Sequence, residues 1–211
     1  MKDIYLFSGL GADWRVFEYL KLDGVRLNHV KWITPHRNET IGSYALRLST
    51  NIKTPNPILI GVSFGGMMAI EIAKIMATEK VIIISSAKSS RYIPSLNSFA
   101  RLKLHTYIPV SFLKNPNEAM YWFFGARTRD EKNLLRSIIK DSDASFIPWA
   151  LDQVLNWSNT IESENVVSIH GTNDRLIPFT KADFVIPNGG HLMILSHHQE
   201  VSDIIKKVLN L

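Results

Sequence analysis

Six short apolar runs recur along the sequence: IYLF (4–7), VRLNHVKWI (25–33), PILIGV (57–62), KVIIIS (80–85), NVVSIHG (165–171) and DFVIPN (183–188). Most are continuous rather than alternating, which is the pattern of parallel strands covered on both faces. Parallel neighbours need a crossover, and the segments between runs supply helices for it. Arg15–Leu20, Thr40–Thr50 and Phe64–Met76 read as such helices. Thr40 is placed to cap the second, with Ile41, Ala45 and Leu48 on one side of it. The alternation predicts a doubly wound α/β fold, a three-layer α/β/α sandwich with a mainly parallel sheet of about six strands.

At 211 residues the whole chain, 1–211, reads as one domain with room for a substantial core. Its 45% hydrophobic and 20% charged content is that of a soluble globular protein. Cysteine is absent, which excludes disulfides, thiolate metal sites and cysteine nucleophiles. That fits a reducing compartment, and a cytoplasmic location is expected. The start, MKDIYLFSG, is too soon interrupted to be a signal peptide or a membrane span, so Ile4–Phe7 is expected to be a buried strand. The formal charge of +5 comes from lysines and arginines scattered among acidic residues, with no basic block. No nucleic-acid partner is expected from such a pattern. Nothing in the sequence sets the oligomeric state.

The alternation breaks between Ser86 and Trp157. This stretch holds Phe99, Leu102, Leu104, Tyr107, Ile108, Phe112, Leu113 and Met120, then Tyr121, Trp122, Phe123 and Phe124, but no convincing strand run. Ser145–Trp157 has helical periodicity, with Phe146, Ala150, Val154 and Trp157 on one side. Two placements are open: a helical layer packed on the sheet, or a helical cap over the carboxyl ends of the strands, where α/β proteins bind ligands. The cap, residues 87–157, is the reading adopted. Tyr121, Trp122, Phe123, Phe124 and Trp149 are then expected to line an apolar pocket.

The stretch GVSFGG (61–66) lies where a strand gives way to a helix. Glycines there permit a sharp turn and a close helix–strand approach. Ser63 on that turn is either a helix cap or a side chain presented to a substrate. A cap explains Ser63 but not Gly61, Gly65 and Gly66 around it. A nucleophilic serine needs a base and a group that orients the base. "IHGTNDRLIP" (169–178) places Asp174 just beyond one strand, and "IPNGGHLMI" (186–194) places His191 just beyond another. In a parallel sheet all three residues reach the same edge.

With these three motifs the chain resembles the α/β-hydrolase fold superfamily, in particular its small single-domain members with a helical lid. The resemblance runs from about Ile4 to Leu209 and is weakest in the insertion. It implies Ser63 as nucleophile, His191 as general base and Asp174 as its partner. It also implies an oxyanion hole from the backbone N–H of Phe64 and that of Leu10 in "SGLGAD" (8–13). Three departures stand out. Ser8 replaces a histidine common in relatives, the sheet starts at the family's third strand, and Pro178 to Asp183 leaves no room for a helix between the acid and histidine loops. The activity implied is carboxylic-ester hydrolysis through an acyl-enzyme, on a small-molecule substrate with an apolar acyl or alcohol group. Thioester, amide or C–C hydrolysis remains open, as does a ligand-sensing interaction protein that retains the triad.

The other candidates carry less. "SGLGAD" lacks the lysine and hydroxyl residue of a P-loop and the dinucleotide spacing, so no cofactor is expected. His197 and His198 lie in a polar helical segment without a complete ligand set, so no metal is expected either. His170 is expected to pack or bond locally. His29, His36 and His105 have no assignable partner, and Asp141 and Asp143 read as solvated helix flanks.

Overall fold

The computed structural model describes residues 1–93, 116–143 and 145–211. Phe99, Leu102, Leu104, Tyr107, Ile108, Phe112 and Leu113 lie outside the described residues. Each of the six apolar runs forms a strand: β1 (Lys2–Phe7), β2 (Val25–His29), β3 (Ile58–Val62), β4 (Lys80–Ile84), β5 (Val166–Gly171) and β6 (Phe184–Ile186). They form one sheet in the order β2-β1-β3-β4-β5-β6, with every neighbouring pair parallel. The described helices are α1 (Ile41–Ser49), α2 (Phe64–Ala73), α3 (Glu118–Phe124), α4 (Arg129–Asp141), α5 (Phe146–Leu155), α6 (Met193–Ser196) and α7 (His198–Leu209).

Because strand side chains alternate, the sheet feeds two cores. Ile4, Leu6, Ile60, Ile82 and Ile169 meet Val16, Phe17 and the α7 residues Val201, Ile205 and Leu209. Tyr5, Phe7, Leu59, Val81 and Ile83 meet Tyr44, Ala45 and Leu48 of α1 and the apolar length of α2. This is a three-layer α/β/α fold with helical insertions. Thr40 caps α1 as expected, its Oγ1 accepting from Ser43 N. The β4–β5 connection contains no strand among its described residues. Also among the described residues, no helix is long and apolar enough to cross a membrane.

Two elements are shorter than the sequence suggests. The expected helix Arg15–Leu20 is a single 3-10 turn, Trp14–Phe17, capped by Asp13. The rest of the 8–24 connection is turn and loop. β2 stops at His29, although its apolar run continues to Ile33. Beyond it Trp32 turns across to donate its Nε1–H to Ser8 Oγ at 3.0 Å. Between β5 and β6 residues 172–183 form no helix, as the short spacing requires. The strand order reverses at β1, so the loops after β1 and β3 leave in opposite directions and open a crevice at the carboxyl edge.

Candidate active site

β3 ends at Val62 and α2 begins at Phe64, so Ser63 is the whole turn. Its φ of 54° and ψ of −122° place it in the left-handed half of backbone space, which a residue with a Cβ rarely adopts. Several bonds hold it there. Ser63 N donates to Ile84 O at 2.9 Å, Gly66 N donates to Ser63 O at 2.9 Å, and Ser86 Oγ donates to the same oxygen at 2.6 Å. The glycines serve close approach. A Cβ on Gly61 would run into the backbone of Gly65 and Gly66, and one on Gly65 would overlap the carbonyl groups of Phe7 and Ser8.

Asp174 follows β5, and its carboxylate is wholly buried. Leu176 N and Ile177 N each donate to Oδ1 at 3.0 Å. His191 Nδ1 lies 2.9 Å from Oδ2, and His170 Nε2 lies 3.3 Å from the same oxygen. Burial acts to raise the carboxyl pKa. Attraction to His191, then the hydrogen bonds from His170, His191 and the Ile177 N–H, outweigh it and hold the group well below the usual carboxylate range. Asp174 is therefore ionised at neutral pH.

His191 follows β6, and only 4% of it is exposed. An ionised carboxylate only accepts, so Nδ1 donates to Asp174 and Nε2 presents its lone pair. That lone pair faces Ser63 Oγ at 2.9 Å. The acid and histidine loops touch through backbone, because a Cβ on Gly171 would overlap Gly189. Thr172 N and Asn173 N donate to Ile186 O and Gly189 O across that contact. Ser63, His191 and Asp174 thus form one hydrogen-bonded line drawn from three strand ends.

Phe64 is the first residue of α2, and the first N–H groups of a helix have no acceptor within it. The helix dipole adds positive potential at the same place. The loop after β1 lies alongside: a Cβ on Gly9 would come 3.6 Å from Ser63 Cβ. Leu10 follows directly, in a turn closed by Ala12 N donating to Gly9 O at 3.0 Å. Ser8 donates to Ala12 O at 2.6 Å and accepts from Trp32, so its hydroxyl secures this loop. Among the described residues, no group of three or more His, Asp or Glu side chains is arranged to hold a metal ion.

A model of the alpha/beta hydrolase family matches residues 8–204. The chain belongs to that family. No curated protein matches the sequence. Solved structures share the fold at low identity. The enol-lactonase of Burkholderia xenovorans LB400 aligns with a TM-score of 0.79 at 14% identity, over 100% of this chain and 92% of its own. A bromoperoxidase from Bacillus anthracis aligns with a TM-score of 0.76 at 18% identity, over 100% and 92%. The esterase of Exiguobacterium antarcticum gives 0.76 at 14% identity over the same shares.

In this alpha/beta hydrolase the β4–β5 connection meets the site at several points. The Phe124 ring stands 5.8 Å from the His191 ring, and Leu192 N donates to Phe124 O at 3.0 Å. Trp149 packs edge-on against Phe64 at 6.0 Å and donates its Nε1–H to Glu39 O. Arg15 joins Asp13, in the loop after β1, to Asp141 and Ser137 of α4.

The five aromatics expected to line one pocket do not share a face. Tyr121 is 2% exposed and packs with Leu135, Ile139 and Leu192, its hydroxyl accepting from Arg136 Nε at 3.0 Å. Trp122 and Phe123 are 55% and 45% exposed, and Arg175 lies over the Trp122 ring. α3 turns about 100° per residue, so four adjacent aromatics point in four directions. Tyr121 and Phe124, three apart, face inward. Phe124 and Trp149 are the two that reach the neighbours of Ser63 and His191.

Sequence reasoning missed Ser86, whose bond to the elbow carbonyl has no sequence signal. His170 bonds locally as expected, its Nε2 lying 2.8 Å from Ile177 O, but its approach to Asp174 was not anticipated.

Proposed function

We propose that this chain is a serine hydrolase that cleaves carboxylic esters through an acyl-enzyme on Ser63. The observation that carries this reading is the line Ser63 Oγ, His191 Nε2, His191 Nδ1 and Asp174 Oδ2, with 2.9 Å at each hydrogen bond. His191 takes the Ser63 proton as Oγ attacks the acyl carbon. The N–H groups of Phe64 and Leu10 receive the oxyanion, each contributing about 3 kcal/mol in the transition state. His191 then protonates the leaving group, and next activates the water that releases the acid. Asp174 stays ionised and holds the histidine tautomer.

The ester bond is favoured by two relatives in fold, an esterase and an enol-lactonase. An apolar acyl or alcohol group fits a site bordered by Phe124, Trp149 and the helical connection, which acts in this reading as a cap. The test is fluorophosphonate labelling followed by a panel of aryl esters and thioesters. Wild type is expected to be labelled at Ser63 and to turn over the esters. Ser63→Ala is expected to stay folded, take up no label and lose turnover by several orders of magnitude. Labelling that persists in the alanine variant refutes the assignment.

A further inference from the structure

Asp174 Oδ1 accepts from two backbone N–H groups and lies 3.1 Å from His191 Nδ1, whereas the contacts of Oδ2 are histidines: His191 Nδ1 at 2.9 Å and His170 Nε2 at 3.3 Å. His170 is 5% exposed and sits in β5, four residues before the acid. Its Nε2 also lies 2.8 Å from the Ile177 carbonyl oxygen. A carbonyl oxygen only accepts, so Nε2 carries a hydrogen. A carboxylate oxygen only accepts too. That N–H donates to Ile177 O at 2.8 Å, and Asp174 Oδ2 at 3.3 Å is its longer, second contact.

We propose that His170 is a positioning residue for Asp174. Its Nε2–H fixes the carboxylate plane that aims Oδ2 at His191, and it ties that plane to the loop through Ile177 O. The inference rests on the serine-hydrolase reading, since it assigns His170 a task only if Asp174 orients a catalytic His191. The chemistry supports it in two ways. The buried carboxylate turns about its Cβ–Cγ bond as one rigid plane, and the N–H groups on Oδ1 and the His170 N–H beside Oδ2 hold that plane from its two ends. A charge-assisted hydrogen bond in a buried site is also worth more than a neutral one.

His170 borders a cavity of about 80 Å³ with Ser86, Lys88, Ser168 and Asp183. Truncating it would admit water to the carboxylate, so the informative variants keep its volume or its reach. In His170→Gln the amide nitrogen extends about as far as the ring's Nε2, whereas in His170→Asn it reaches only the Nδ1 position. His170→Phe keeps the ring and removes the donor. The experiment measures fluorophosphonate inactivation at Ser63 over a range of probe concentrations, with thermal unfolding as the check on folding. It also records the far-downfield proton resonance of the His191–Asp174 hydrogen bond.

Expected is a loss of about 10–100-fold in the limiting inactivation rate for His170→Phe and His170→Asn, with little change in half-saturating probe concentration. His170→Gln is expected to stay within about threefold of wild type, because it restores the donor. The downfield resonance should shift or broaden in the first two variants and persist in the third. A folded His170→Phe that labels as fast as wild type overturns the proposal. So does a His170→Gln as slow as His170→Asn, which would leave only a packing role. If His170→Phe does not fold, the contrast between the two amides decides alone. If wild type is not labelled at Ser63, the hydrolase reading itself fails. The resonance still judges His170 in that case, and one unmoved in the asparagine variant overturns its hold on Asp174.

Discussion

Replacing Gly65 by alanine probes how tightly the elbow is built. The added Cβ would sit 2.6 Å from the Phe7 carbonyl carbon, where ordinary contact starts at 3.4 Å. β1 and the start of α2 must then part by about 0.8 Å, and by more at the two carbonyl oxygens. Overpacking against rigid backbone costs about 1–3 kcal/mol, since no side chain can rotate away. The larger effect falls on reactivity. Ser63 and the Phe64 N–H ride on the same helix start, and a misplacement of about 1 Å can cost on the order of 100-fold. Gly42→Ala is the matched control. Gly42 lies in α1 with nothing within 4 Å of the added methyl, so there the helix should gain about 0.5–1 kcal/mol. Urea unfolding gives the stabilities and fluorophosphonate labelling gives the reactivity. A Gly65→Ala protein with wild-type stability and labelling would refute the close-approach argument.

The depressed pKa of Asp174 makes a stability prediction with a definite sign. Its contribution is fully present above about 3.9, the value of an unfolded aspartate, and is lost as pH falls from there toward the lower folded value. Asp174→Asn should therefore melt below wild type at neutral pH, with the gap closing below about pH 4; a constant gap across a Tm series would contradict this. The aromatics of α3 should separate by burial: Tyr121→Ala should cost about 3–5 kcal/mol, and Trp122→Ala less than about 1 kcal/mol, by chemical unfolding.

The sequence disclosed those parts of the fold whose causes are local. Unbroken apolar runs become strands because both faces of this sheet are covered, and the run at 80–85 reads the same alone as in the sheet. Ser63 was legible because its glycines answer a steric demand within five residues. Asp174 and His191 were legible because parallel topology turns strand ends into neighbours. The rest depends on partners far along the chain. β2 ends early because Trp32 is drawn to Ser8, and no period in residues 25–33 carries that information. The inward and outward faces of Tyr121, Trp122, Phe123 and Phe124 follow from where α3 docks. Ser86 and His170 are ordinary side chains at strand ends until Ser63 O and Asp174 Oδ2 are placed beside them.

Gly125 ends α3 in a left-handed conformation, and a Cβ there would come 3.1 Å from Gly190 Cα, next to the bond from Leu192 N to Phe124 O. The histidine loop is thus clasped by the helical connection on one side and by the acid loop on the other. Strand β6 beneath it is only three residues long and forms the sheet's edge, so it offers that loop little anchorage of its own. The helices between β4 and β5 are accordingly not a detachable module. A chain shortened by excising them would lose the register of His191, and a graft from another hydrolase would have to reproduce the Gly125 contact to restore it.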